Sequence, residues 1–162
     1  MRMEVIDNFL PEKQFQEFQS IMMWDNFPWF YNPGITGVDE PPGRFMFTHQ
    51  FYDNRYGSSS HFPLVEPLLQ TLGVNVLWRV KGNLLTRTIF NRRAVWHIDI
   101  PGEELNTAIY YVNTNNGCTK FKKGGRVKSV ANRMVVFDGD QIHTGVSCTD
   151  EKTRVVINFN YV

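Results

Sequence analysis

The alternation of hydrophobic and polar positions changes period near Gly73. Before it, Phe15, Phe18, Ile21 and Met22 recur at helical spacing in NFLPEKQFQEFQSIMMWDNF, which predicts a helix over 11–24 with Pro11 in its first turn. A second run, HFPLVEPLLQTLG, predicts a helix over 62–72 that stops at Gly73. Between them, FPWFYNPGITG and RFMFTHQFYDN are aromatic, bounded by Pro, Gly and Asn, and read as extended.

Beyond Gly73 the period shortens to two. Extended segments are expected at 74–81, 84–90, 94–98, 106–113, 118–122, 126–130, 133–137 and 153–161, with turn residues between them. That pattern predicts a mainly β fold, a sandwich or barrel in preference to a βαβ fold, with the N-terminal helices packed on one sheet. The last run, TRVVINFNYV, puts Val155, Ile157, Phe159 and Tyr161 on one face and Arg154, Val156, Asn158 and Asn160 on the other. The first face suits the helices. A cation and two amides inside a barrel suit a polar ligand. The 106–113 run divides likewise, with Thr107, Ile109 and Tyr111 opposite Ala108, Tyr110 and Val112.

Candidate chemistry begins at VWHIDIPG. In an extended chain His97 and Asp99 share a face, which fits a metal site, an acid/base pair or a polar sheet face. His143 follows the polar turn of FDGDQIHTGV, and Arg154 stands eleven residues further on. Two imidazoles and one carboxylate are the ligands of a facial triad, which leaves iron adjacent open positions; zinc accepts the same set. An arginine aimed inward beside them suggests an anionic cosubstrate, because guanidinium binds carboxylate through a bidentate fork.

Composition narrows the partners. A chain of 162 residues suits one domain, burying about 68–70% of its unfolded surface. Its 42% hydrophobic and 20% charged residues are globular values, and a net charge of +1 argues against a strongly electrostatic partner. The exception is KFKKGGRVK, where Lys120, Lys122, Lys123, Arg126 and Lys128 make either a solvated turn or a contact for nucleic acid or an acidic substrate. Cys118 and Cys148 form no disulfide framework and no zinc spacing. An acidic N-terminal stretch and the lack of a 20-residue apolar run point to no membrane span and to a cytoplasmic, reducing compartment. YGSSSH is no nucleophile elbow, and GGRVKS lacks the P-loop pattern. His49 and His61 read as structural, and the 27–33 aromatic stretch as core, lid or substrate groove.

Taken in order, HID at 97–99, NTAIYYVN at 106–113, NGCTKF at 116–121, VVFDGDQIHTG at 135–145 and TRVVINFNY at 153–161 resemble the Fe(II)/2-oxoglutarate dioxygenases, in particular the prolyl 4-hydroxylase-like branch in its compact phage-type form. The likeness runs from about Val74 to the C-terminus, and VIDNFLP is similar to how such domains begin. It implies one domain over 1–162, with 1–73 as a helical and extended support and 74–162 as a double-stranded β-helix (jelly roll) core. His97, Asp99 and His143 match the iron ligands, and Arg154 matches the residue holding the distal carboxylate of 2-oxoglutarate. Tyr111 matches a tyrosine bonding the same carboxylate, with Thr107 on its face; Asn83, Asn158 and Asn160 are expected to line the pocket. Asn116-Gly117 before Cys118 departs from the paired glycines of relatives, which changes a turn and not the chemistry.

The cofactors implied are Fe(II), 2-oxoglutarate and O₂. The reaction couples decarboxylation to succinate with hydroxylation of a C–H bond in a peptide, protein or small molecule, peptidyl proline among them. A monomer is expected, in a host cytoplasm if phage-encoded. Two other readings compete: a catalytically silent cupin-like metal-binding module, and a nucleic-acid demethylase of the same superfamily. Nucleic-acid repair relatives typically carry a second arginine in the final strand, and here that strand has only Arg154.

Overall fold

The structure, a computed structural model, describes residues 3–35 and 43–162. In chain order, β1 (Met3–Ile6) leads to α1 (Glu12–Met22), β2 (Phe30–Asn32), β3 (Met46–Asp53) and β4 (Gly57–Ser58). A 3-10 turn (Phe62–Leu64) and α2 (Glu66–Leu72) follow, then β5 (Leu77–Thr86), β6 (Asn106–Tyr111) and β7 (Cys118–Phe121). The chain closes with β8 (Arg126–Lys128), β9 (Arg133–Asp138), β10 (His143–Val146) and β11 (Thr153–Tyr161).

These strands form two antiparallel sheets. Among the described residues the larger has eight strands, ordered β1-β9-β6-β11-β5-β3-β2 with β4 on β3, and the smaller runs β10-β7-β8. The 92–97 segment lies along the outer side of β10, tied by bridges Arg93↔Val146 and His97↔His143. Two facing sheets joined in this order are a jelly-roll arrangement.

The pleat of the large sheet separates two interiors. Val155, Ile157, Phe159 and Tyr161 of β11 pack with Ala108 and Tyr110 of β6, Met134 and Val136 of β9, and Phe15, Phe18 and Met22 of α1. Phe18 meets Tyr110 edge-on at 5.7 Å, and Gln19 Nε2 of α1 donates to the Val112 carbonyl at 2.6 Å. On the opposite face a smaller cluster of Ile109, Tyr111, Val135, Phe137 and Val156 meets Phe121 and Val127 of the small sheet. Asn132 pins the N-terminal segment to this frame. Its amide accepts from Leu10 N–H at 2.9 Å and Tyr110 O–H at 2.9 Å and donates to the Leu10 carbonyl at 2.8 Å. Its φ of 59° is one that Asn tolerates better than most residues.

Several expected boundaries move. The segments expected at 74–81 and 84–90 are one strand, β5, with 74–76 and 87–90 outside it. Gly82 does not break the run, because β5 is paired on both sides, by β11 and β3. Its missing side chain admits the Trp29 ring, 3.2 Å from where a Cβ would sit. The segment 94–98 is no continuous strand: after His97 the chain bends out of the ladder toward Pro101. The helix expected over 62–72 is a 3-10 turn followed by α2, with prolines opening both pieces. Strands β1 and β4 fall outside the expected set; β1 gains its stability from pairing with β9. Strands of both 1–73 and 74–162 are thus woven into one sheet. No helix among the described residues is long and apolar enough to cross a membrane.

Candidate metal centre

His143 and His97 face each other across the β10 edge. Each backbone N–H donates to the other's carbonyl at 3.0 Å, and the ring centroids are 4.7 Å apart. Both rings are oriented the same way: Nδ1–H of His97 donates to the Val95 carbonyl at 3.1 Å, and Nδ1–H of His143 to that of Gln141 at 2.9 Å. Those bonds fix the tautomer that leaves the Nε2 lone pairs pointing inward. Phe137 packs edge-on against the His143 ring at 5.0 Å and holds it in place.

Asp99 completes the group. Its Oδ1 lies 3.4 Å from His97 Nε2 and 3.6 Å from His143 Nε2. The other oxygen, Oδ2, accepts from Asn158 Nδ2 at 3.2 Å and Asn160 Nδ2 at 3.3 Å, with the Arg79 guanidinium at 3.6 Å. Asn160 Nδ2 also donates to Thr107 Oγ1 at 3.1 Å. One carboxylate oxygen is therefore tethered to β11 while the other is aimed at the imidazoles. Burial works against the charged form of Asp99, but His143 and His97 in their protonated forms, together with Arg79, outweigh it and hold the carboxyl well below its ordinary value.

The three residues fit a divalent metal. One ligand atom from each lies within 4.8 Å of the others, an N₂O donor set suited to Fe(II) or Zn. His143, 2% exposed, has no hydrogen-bond partner on Nε2 among the described residues, an orphaned lone pair that a cation would satisfy.

Arg154 enters from β11 at the other end of the same face and is 2% exposed. Its Nε donates to Ser129 Oγ at 2.9 Å and a terminal nitrogen to Thr119 Oγ1 at 3.2 Å, while its guanidinium carbon sits 5.7 Å from the Tyr111 ring centre. Tyr111 itself donates to Thr119 Oγ1 at 2.8 Å. No carboxylate among the described residues pairs with this guanidinium, and burial lowers its pKa from the usual arginine value. Gly117 makes room for it: a Cβ there would stand 2.7 Å from Arg154 Cδ.

A cavity of about 120 Å³ joins the two ends, lined by His97, Asp99, His143, Asn83, Asn158 and Arg154 and, from β5, by Arg79 and Lys81. Tyr111 stands behind it, bonded to the lining residue Thr119, and Thr107 further back, bonded to Asn160, which holds Asp99. Arg79, Lys81, Thr119 and Ser129 were not expected from the sequence. For the first two the signal existed, in the alternation Arg79-Val80-Lys81-Gly82-Asn83-Leu84-Leu85, and was hidden by splitting the strand at Gly82. Two expectations concern residues elsewhere. His49 is bonded at both nitrogens, to the Pro28 carbonyl at 2.9 Å and Ser59 Oγ at 3.0 Å, inside an aromatic cluster. Lys122 and Lys123 face Asp138 and Asp140 across a surface hollow.

No family model matches the chain, and no curated protein matches it by sequence. Solved structures do match. A Trichoplax adhaerens prolyl hydroxylase, solved with a hypoxia-inducible-factor degradation-domain peptide, superposes with a TM-score of 0.66 at 14% identity over 98% of this chain and 82% of its own. A Pseudomonas putida prolyl-4-hydroxylase gives 0.61 at 15% identity, over 98% and 91%. The α-ketoglutarate-dependent carbocyclase SnoK of nogalamycin biosynthesis gives 0.68 at 13%, over 98% and 78%. The fold is that of the 2OG-Fe(II) oxygenases. Within an oxygenase fold the convergence of His97, Asp99 and His143 lies between the two sheets, and Arg154 lies deeper along the same face of β11.

Proposed function

We propose that this protein is an Fe(II)- and 2-oxoglutarate-dependent oxygenase that hydroxylates a C–H bond and releases succinate. The observation that carries the reading is Arg154, a buried guanidinium with hydroxyl partners and no carboxylate among the described residues, in the same cavity as the His-Asp-His set. A buried cation without a counter-charge is costly, and a dicarboxylic 2-oxo acid supplies that charge.

Each residue then has a role. His97, Asp99 and His143 would hold iron, which when bound supplies the oxygen activation that no side chain provides. Asn158, Asn160 and Arg79 keep Asp99 Oδ2 engaged so that Oδ1 faces the metal. Arg154 receives the distal carboxylate, and Ser129 and Thr119 hold the guanidinium in plane for it. Tyr111 positions Thr119 and lends its ring to the cation. Peptidyl and small-molecule substrates are both in scope, since the neighbours include a prolyl hydroxylase with a peptide and a carbocyclase. The 162 residues act as one domain, because β1, β2 and β3 are hydrogen-bonded into the sheet that carries the site.

The test is succinate release. Purified protein with Fe(II), 2-oxoglutarate and O₂ should form succinate above a metal-free control, and His143→Ala should abolish it. A protein that binds metal but never consumes 2-oxoglutarate would be the silent cupin-like module instead.

A further inference from the structure

The cavity carries more positive charge than the proposed cosubstrate uses. Strand β5 sends Arg79, Lys81, Asn83 and Leu85 into it, while Val80 and Leu84 join the core behind. Arg79 is engaged, with Nε donating to Asn160 Oδ1 at 3.1 Å and its guanidinium beside Asp99. Lys81 is half-buried, and its ammonium has no hydrogen-bond or ion-pair partner among the described residues. Burial first, and the neighbouring Arg79 next, lower its pKa; Asp99 only partly offsets them.

Register tells which end of the cavity Lys81 serves. It pairs with Asn158, and Arg79 pairs with Asn160, the two amides that hold Asp99. Arg154 pairs with Leu85, four residues away, roughly 13 Å along the strand. Lys81 therefore stands at the metal end, and Arg154 at the far end. A divalent metal and a doubly charged 2-oxo acid neutralise one another, leaving, among the described residues, three lining cations against the one carboxylate of Asp99. A groove that shares Ile35 and Leu85 with the cavity adds Arg44 and Arg92 and, among the described residues, no acid.

We propose that the substrate oxidised at this site is an acid, whose carboxylate or phosphate is received by Lys81 beside the metal. The inference rests on the oxygenase reading and adds the chemical class of substrate to it. A neutral substrate would complete the burial of Lys81 without a counter-charge. An anionic one provides that charge, and Arg44 and Arg92 favour its approach.

Calorimetry on protein loaded with Mn(II) and 2-oxoglutarate tests this with N-acetylglycine and N-acetylglycinamide, alike in shape and different by one charge, and with methyl phosphate. At least one acid should bind tenfold or more tighter than the amide, the tighter one naming carboxylate or phosphate. Lys81→Met should remove that preference, Lys81→Arg should retain it, and both variants should bind 2-oxoglutarate within threefold of the parent. Acids no tighter than the amide would overturn the proposal. So would a preference that survives in Lys81→Met, or a loss of 2-oxoglutarate affinity beyond threefold in that variant, which would give the lysine to the cosubstrate. If the parent protein binds no 2-oxoglutarate at all, the oxygenase reading itself fails.

Discussion

His97 and His143 exchange two backbone hydrogen bonds of 3.0 Å, so a single bridge between residues 46 apart in sequence sets the spacing of both imidazoles. The pair is preorganised by the backbone before any cation arrives. Binding energy is then not consumed in bringing the rings together, and metal should stabilise the fold with the logarithm of its concentration above the dissociation constant. At one hundred times its dissociation constant, Fe(II) or Mn(II) should add about 2.7 kcal/mol. For a chain of this size that is roughly 5–10 °C in Tm by scanning calorimetry. His143→Ala should lose the shift while keeping most of the metal-free Tm.

Metal affinity should depend on pH in a defined direction. Burial opposes the imidazolium of His97, but the Asp99 carboxylate and the Val95 carbonyl outweigh it, and the pKa of His97 rises above 6.5. A protonated ring cannot ligate, so affinity should fall as pH drops through that raised value, by about tenfold per pH unit below it. Asp99, held well below 3.8, stays charged throughout and contributes no further loss between pH 8 and 5.5. Mn(II) titrations across that range read this out, and weakening should begin above pH 6.5.

Arg154→Met should separate the two halves of the site. Loss of a buried charged partner costs roughly 2–5 kcal/mol in binding, so 2-oxoglutarate affinity should fall by at least 30-fold while Mn(II) affinity stays within threefold. The metal-free Tm should not fall sharply, since an apolar side chain replaces a cation with no counter-charge.

Gly117→Ala reaches the same arginine indirectly. The added methyl would lie 2.7 Å from Arg154 Cδ, 2.7 Å from the Val146 carbonyl oxygen and 2.8 Å from Asn115 Oδ1, and two of those neighbours are held by hydrogen bonds of their own. Overpacking of this kind costs about 1–3 kcal/mol. Chemical denaturation should show that loss, together with weaker 2-oxoglutarate binding.

Away from the cavity, Asn132→Ala should be among the more damaging single changes. It leaves Leu10 N–H, the Leu10 carbonyl and the Tyr110 hydroxyl without their partner, each buried orphan costing about 1–3 kcal/mol. Urea unfolding measures the sum.

The sequence made some of this plain and concealed the rest. His97-Ile98-Asp99 and the turn before His143 pointed to the residues that the structure brings together, because their spacing is local. The two faces of β11 were legible too, since strict alternation over nine residues needs no knowledge of neighbours. Gly82 misled, because a glycine that breaks an isolated strand is tolerated in one paired on both sides. Asn158 and Asn160, expected beside the cosubstrate, are bonded to Asp99, whose position depends on a bend after His97 that no periodicity encodes. Ser129 and Thr119 acquire meaning only when the small sheet folds over Arg154.

On β5 and β11, residues that build the hydrophobic interior alternate one for one with residues that face the cavity. A randomised library confined to positions 79, 81, 83 and 85 would therefore remodel the chamber wall while leaving every second side chain, and with it the folding instructions, unedited.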